Sequence, residues 1–274
     1  MPVRLGVNLP TFGPHAGPAA VAAVATAAER LGLHAVSATE RLLLPADPAW
    51  RNEAGLPEWP VLDPIEALTW AAAHTSRVRL ATGVVDALFQ PPLVLARRLA
   101  TLDVLSGGRV DAGLGQGWLP EEFAATGVPM SRRGPGFEDY LAAVRACWGP
   151  DPVAHDGPAY PLPPSRVGPK PVNGTIPLLV GALARPAVER TARLGLGLVA
   201  AVRDWDTTAT EVGWYRAAGG PGPVSLRTLA GEDVAGAVAR AGALGVDEVH
   251  WALPHDLPPG GLVAALESIV AAAG

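Results

Sequence analysis

Residues 113–123, GLGQGWLPEEF, bring three alternating glycines, a side-chain amide and two carboxylates into one short stretch. Glycine lets the backbone approach a ligand closely or take angles closed to other residues, so the stretch could cradle a phosphate, wall a ring or turn sharply out of a strand. A dinucleotide-binding loop opens a helix at its third glycine and is followed at a set distance by an acidic residue; neither feature is present, which counts against that reading. Two further places carry charge suited to chemistry. Glu40-Arg41 sets a carboxylate beside a guanidinium that stays charged at neutral pH and so holds anions rather than moving protons, and Asp86 follows an apolar run. The histidines at 15, 34, 74, 155, 250 and 255 show no HxH or HExxH spacing, so no zinc site is expected. The single cysteine, Cys147 in YLAAVRACW, rules out an internal disulfide and reads as a buried, inert thiol. Ser106 in LSGGR belongs to a turn, and no Ser/His/Asp or Cys/His set is evident.

Short β-branched runs alternate with Ala/Leu-rich stretches, the pattern of a parallel sheet with helical crossovers. Strands are expected at 4–9, 34–38, 78–84, 109–113, 176–181, 198–202, 224–228 and 248–253. Helices are expected at 18–31, 64–75, 91–105, 134–148, 184–194, 207–218, 232–244 and 261–273. Several helices begin at or beside proline, whose missing N–H costs nothing in a first turn. The Leu-Gly pairs 31–32, 194–195 and 244–245 suit C-caps that reverse into a strand. Eight such units favour a TIM barrel, α/β, as one domain over residues 1–274, with an open sheet as the alternative. Segments 41–62 and 149–175 are long Pro-containing insertions, and the second holds an expected small hairpin around Asp156-Gly157.

In a barrel the active site gathers where strands end. That places residues 8–12, 39–41, 85–86, 116–118, 181–183 and 203–204 around one mouth, with His250 and His255 near the end of the last strand. His34, before a strand, and His74, at a helix end, read as caps or surface groups, as Glu121 and Glu122 read as caps or salt-bridge partners.

The chain has 274 residues, 49% of them hydrophobic, and a formal net charge of −5. It can bury a large core and lacks the basic footprint of a nucleic-acid or anionic-membrane binder. Small molecules are the expected partners. The sequence opens directly on a strand pattern, with neither a secretory leader nor an apolar span in view, so a cytoplasmic protein is expected.

The segments RLGVNLPTFG, AAERLGLHAVSATERLLLP, RVRLATGVV, PPLVLARRLATLDVLSGGRVDAGLGQGWLPEEFAATGVP, RRGPGFEDYLAAVRACW, VGPKPV and IPLLVGA resemble, in this order, the bacterial luciferase-like superfamily, nearest its coenzyme F420-dependent oxidoreductase branch. The resemblance implies a barrel that binds the deazaflavin F420, or the flavin FMN, at the C-terminal face and transfers hydride at the ring. It implies a non-proline cis peptide in a bulge among Val84, Val85 and Asp86. It places the cofactor phosphate on the backbone of Gly181, Ala182, Leu183 and Ala184, with Arg185 nearby, and makes GLGQGW a pocket wall with Gln116 toward the chemistry and Trp118 packed or stacked. It also implies a homodimer, for which Trp148 and neighbouring helices could offer an apolar face.

On this basis Glu40, Arg41 and Gln116 are the candidate catalytic residues. Asn8, Thr39, Val84, Val85, Asp86, Gly117, Gly181, Ala182 and Leu183 are the candidate cofactor contacts. Relatives commonly carry a histidine where this chain has Arg41, and the sugar-phosphate dehydrogenases carry a glutamate where it has Gln116; neither replacement can pass a proton at neutral pH. Ala182 stands where a second glycine is frequent, and Gly195-Leu196-Gly197 where Gly-Asp-Gly is usual. An F420-dependent hydride-transfer enzyme is the leading expectation; an FMN-dependent monooxygenase and a non-catalytic barrel without a redox cofactor are the alternatives.

Overall fold

The computed structural model describes residues 2–53, 55–201, 204–228 and 231–273. Its strands are β1 (Arg4–Asn8), β2 (Ala35–Ala38), β3 (Arg79–Thr82), β4 (Val85–Asp86), β5 (Val110–Gly115), β6 (Val153–His155), β7 (Leu162–Ser165), β8 (Leu178–Gly181), β9 (Gly197–Ala201), β10 (Val224–Arg227) and β11 (Glu248–Trp251). Its α-helices are α1 (Pro18–Arg30), α2 (Pro64–Ala73), α3 (Pro92–Ser106), α4 (Pro120–Thr126), α5 (Pro135–Trp148), α6 (Arg185–Arg193), α7 (Trp205–Ala217), α8 (Val234–Ala243) and α9 (Pro259–Ala273).

Neighbouring strands run parallel in the order β3-β2-β1-β11-β10-β9-β8-β5, and a further pairing of β3 with β5, Leu80 opposite Val110, closes the ring. The chain is a TIM barrel. The short strand β4 pairs with the far end of β5, Val85 opposite Leu114. Closure follows from the period-two pattern. Val7, Val36, Leu80, Val110, Leu226 and Val249 turn outward into a core shared with the helices, where each is 0% exposed. Each fully buried branched side chain contributes about 1.5–3 kcal/mol.

The eight expected helices start within two residues of their expected positions. Proline occupies the first turn of α1 to α6, and Asp63 and Asp204 cap α2 and α7 by accepting the N–H of Ile65 and Thr207. Gly32, Gly195 and Gly245 take φ of 77°, 67° and 70°, the left-handed angles a helix-to-strand reversal needs.

Four details differ from the sequence expectation. The third strand breaks after Thr82 and resumes at Val85, with a cis peptide between Gly83 and Val84, one bond before the expected place. An additional helix, α4, follows the glycine stretch, so nine α-helices lie among the described residues. The hairpin β6–β7 forms, but its connection is longer than a two-residue turn because Asp139 of α5 collects the N–H groups of Ala159 and Tyr160 and the His155 ring. Trp148 is 4% exposed, its Nε1 donating to Ala96 O at 3.0 Å, and so belongs to the core rather than to an interface. Cys147 is buried, and burial raises its thiol pKa. Val202 lies outside the described residues. No helix among them is long and apolar enough to cross a membrane.

Gly113 shows how tightly β5 meets β3. A Cβ there would run into the Thr82 carbonyl oxygen, and the Thr82 hydroxyl donates to Gly113 O at 2.7 Å. Gly113→Ala is therefore expected to lose about 2–3 kcal/mol, read as a lowered Tm in thermal unfolding; an unchanged Tm would mean that the two strands separate more freely than their contact implies.

Candidate active site

The bulge between β3 and β4 places four of the expected residues, Glu40, Val84, Asp86 and Gly117, in one hydrogen-bonded group. Glu40 donates its N–H to Val84 O at 3.2 Å and accepts the Asp86 N–H on Oε2 at 2.6 Å. Asp86 in turn accepts the Gly117 N–H on Oδ1 at 3.1 Å. Gly115 and Gly117 allow this closeness: a Cβ on Gly115 would lie 2.6 Å from Asp86 Oδ1, and Gly117 has φ of 70° with the Phe89 and Phe123 rings against it. The glycine stretch is thus the seat of the bulge, not a phosphate loop.

Two carboxyl groups packed so closely cannot both ionise easily. Burial first, and the Asp86 charge after it, push the Glu40 pKa up to about 8 against the Asp86 N–H bond. Burial likewise raises Asp86 to about 6, although Arg41 draws it down. At neutral pH Glu40 is a carboxylic acid with one oxygen held by the Asp86 N–H. It can hold a proton at the mouth or release one there.

The other candidates divide. Arg41 donates to Glu122 Oε2 at 2.7 Å, and the two side chains are 12% and 0% exposed. Glu122 also accepts the Leu42 N–H at 2.9 Å, and Trp118 lies over the guanidinium with its ring 5.3 Å away. The guanidinium is thereby engaged by the chain itself. Gln116 accepts the Gly134 N–H on Oε1 at 2.7 Å, fixing the entry of α5. Val84 faces the mouth close to Gly181, where a Cβ would come within 3.1 Å of Val84 Cγ1, whereas Val85 is fully buried in the core. Ala182 is buried at 4% exposure and Leu183 exposed; the turn they form leads into α6, where Pro186 brings no N–H and Ala187 donates to Ala184 O at 2.9 Å, so Arg185 carries the leading free N–H of the helix proper. Thr39 and Asn8 stand at their strand ends, partly exposed. Arg203 lies outside the described residues.

Aromatic groups rim the opening. His255 sits 4.6 Å from the Phe12 ring and 6.2 Å from that of Trp59, so segment 41–62 is folded onto the mouth. Beside it a cavity of about 220 Å³ is lined by Arg41, Leu42, Leu44, Pro57, Trp59 and Val61 among others. His250 is not at the opening but fully buried within the barrel, and His34 reaches Glu248 at the opposite end.

Sequence reasoning missed Arg227. It ends β10 against Gly83, where a Cβ would stand 2.7 Å from its Nη2, and its Nε is buried with no hydrogen-bond partner among the described residues. Burial presses its pKa down to about 10. The signal was available: VSLR and EVHW alternate polar with apolar residues in strands that the barrel covers on both faces. Among the described residues no group of acidic, His or Cys side chains is placed to hold a metal.

The chain resembles an uncharacterised protein of Mycobacterium tuberculosis, 38% identical over 210 residues, 74% of each sequence. It is 29% identical over 194 residues to an F420-dependent glucose-6-phosphate dehydrogenase of Amycolatopsis mediterranei, covering 67% of this chain and 53% of that one. Its fold matches the crystal structure of monooxygenase RslO1 from Streptomyces bottropensis with a TM-score of 0.77, 22% identity and 98% of each chain covered. The model of the luciferase-like monooxygenases matches residues 3–244. Barrel, bulge and sequence agree, and the chain belongs to the luciferase-like monooxygenase family.

Proposed function

We propose that this protein is an oxidoreductase that holds coenzyme F420 at the barrel mouth and exchanges hydride between it and a small organic substrate. The observation that carries the reading is the Glu40–Asp86 pair, which keeps a proton on Glu40 up to about pH 8 beside the bulge. Dehydrogenation removes a hydride and a proton to two different acceptors, and a carboxyl group poised near working pH is suited to the proton.

The residues present fit a ring cofactor. Arg227 offers an unsatisfied buried Nε–H inside the mouth, a donor that a ring acceptor would complete. Glycines at 83, 115 and 181 let Arg227, Asp86 and Val84 pack directly against the backbone beside the bulge, which holds the floor of the mouth in one shape. The turn from Gly181 to Arg185 would meet the phosphate through the N–H groups of Leu183, Ala184 and Arg185 and the positive end of the α6 dipole, since the Ala182 N–H is given to Val199 O. When bound, the deazaflavin supplies the hydride chemistry. The chain's own part is to hold the ring over Val84, keep water out with segment 41–62, and give or take a proton at Glu40.

Arg41 and Gln116 do not replace the family's acid–base groups in this reading. Glu40 does, one residue before Arg41. The relative that is a sugar-phosphate dehydrogenase does not set the substrate here, because Arg41, the cation in the lining of the cavity beside the mouth, is paired with Glu122, and Glu58 in the same lining would repel a phosphate. An uncharged organic substrate suits that lining better.

Anaerobic titration of the purified protein with F420 and, separately, with FMN, followed by absorbance and fluorescence, tests the assignment. Saturable F420 binding in the micromolar range with FMN weaker is expected. Binding of FMN alone would move the chemistry to oxygen activation, and binding of neither would leave a barrel without a redox role.

A further inference from the structure

TIM-barrel interiors are ordinarily filled by branched apolar side chains, yet here a guanidinium crosses the barrel beneath the mouth. Arg227 ends β10 and Gly83 follows β3; in the ring order β3-β2-β1-β11-β10-β9-β8-β5 those two strands stand on opposite walls. The side chain spans the distance, since a Cβ on Gly83 would stand 2.7 Å from its Nη2 and 2.9 Å from its Cζ. It therefore forms the floor under the bulge, against the residue joined to Val84 by the cis peptide, and so under the place assigned to the ring.

The chain supplies this cation with few partners. Nη1 donates to Ser225 Oγ at 3.0 Å, and Nε is buried without a hydrogen-bond partner among the described residues. The two carboxylates whose charge reaches it are engaged elsewhere. Glu248 takes the Ser225 hydroxyl and faces His250, His34 and Arg4 at 3.2, 3.5 and 3.7 Å, while Asp111 holds Arg79 in an ion pair. At the mouth Arg41 is held by Glu122, and Asp86, beside Arg41, accepts the Gly117 N–H. Arg227 keeps its charge at neutral pH, because burial lowers its pKa only to about 10. A buried cation without a counter-ion is costly, and a ligand that brings a negative charge removes that cost.

The two candidate rings differ in this respect. The deazaflavin of F420 carries a phenolic hydroxyl conjugated with its pyrimidine carbonyls, a vinylogous acid that ionises near neutral pH and spreads its charge to both ends of the ring. The oxidised flavin of FMN has methyl groups at that edge and stays uncharged. A guanidinium bonds an anionic oxygen about twice as strongly as a neutral one, and the low dielectric of a buried floor widens the difference.

We propose that Arg227 is the specificity residue of the mouth: its unpaired guanidinium holds the ring in the anionic form and thereby selects F420 over oxidised FMN. The inference rests on the reading of the mouth as a ring-cofactor site. Its role is separate from that of Glu40. One sets which ring is held, the other where a proton goes.

The full-length protein, Arg227→Met and Arg227→Lys test this, with oxidised F420 and oxidised FMN as probes. In the wild type, the pH at which bound F420 loses the absorbance of its anion is expected to lie at least about one unit below that of the free cofactor, a tenfold preference for the anion. No shift overturns the proposal. Arg227→Met is expected to weaken F420 at least about tenfold and FMN less than about threefold, while Arg227→Lys, which keeps the charge, retains most of the preference. Equal weakening of both rings, or a Lys variant no better than Met, overturns the proposal and makes Arg227 a brace for the floor. Urea unfolding of the apo-proteins needs no cofactor. Removing a charge that the chain leaves unpaired is expected to leave Arg227→Met at least as stable as the wild type, and a lower unfolding midpoint overturns the proposal. If the wild type binds F420 and these contrasts are absent, the selection role falls and the cofactor assignment stands; if it binds neither ring, the cofactor assignment falls and the selection role with it.

Discussion

Glu40→Gln is expected to lower turnover by about two to three orders of magnitude while the protein still folds. Glutamine keeps an oxygen for the Asp86 N–H, so the bulge retains its 2.6 Å contact, but it has no proton to exchange. The pH profile gives the sign. Glu40 titrates near 8; in the direction that reduces substrate it must start protonated, so the wild-type rate falls as pH rises through about 8. In the oxidative direction it must start ionised, and the rate rises over the same range. Glu40→Gln should lose that limb in both directions. Stability moves independently of catalysis. Because the folded pKa lies above the ordinary value of 4.5, the favourable contribution of protonated Glu40 is complete below 4.5 and is lost as pH rises to about 8. Above that pH the Gln variant should be the more stable by about 2–4 kcal/mol, measured by denaturant unfolding at pH 9. Wild-type turnover with an unchanged pH limb in Glu40→Gln would remove Glu40 from the chemistry.

The difference between what could be read from the chain and what could not lies in the range of the interactions. Proline at helix starts, glycine at helix ends and alternating apolar strands are local signals, each acting within a few residues, and they give the barrel and nearly every element. The ion pair of Arg41 with Glu122 joins positions 81 apart; nothing near Arg41 announces it, and an arginine after a strand of a barrel looks free until α4 is folded over it. Gln116 is similar, since Gly134 meets it only once the connection to α5 has closed. Glu40 needed the opposite correction. Its residue type was legible as acidic, but its protonation at neutral pH arises from burial and from Asp86, brought alongside by the break after Thr82. The polar row from Arg227 through Ser225 to Glu248 was half legible. Its period of two is plain in VSLR and EVHW, but an alternating strand usually turns its polar face to water, and only closure of the ring sends that face inward.

Arg41→Ala is expected to cost about 3–5 kcal/mol of stability, because it leaves the Glu122 carboxylate buried without its partner. The loss should appear first at the mouth, where the Leu42 N–H and segment 41–62 hang on the same carboxylate. Neutralising both partners tests whether that is all Arg41 does. In Arg41→Met with Glu122→Gln no charge is left buried, the glutamine oxygen still accepts from Leu42, and the introduced thioether side chain still covers Trp118. Most of the stability should return, leaving a deficit of about 1 kcal/mol, and the coupling of the two positions should be read from a double-mutant cycle by denaturant unfolding. Turnover then separates a clamp from a catalyst. If Arg41 serves to hold segment 41–62 over the site, kcat and KM recover with stability in the double variant. If its charge stabilises an anion on the ligand during hydride transfer, the double variant folds well and remains slow, with kcat depressed at unchanged KM, since an interaction made only in the transition state is lost. The full engagement of the guanidinium by Glu122 makes recovery the expected result, and a stable but slow double variant would return Arg41 to the catalytic set.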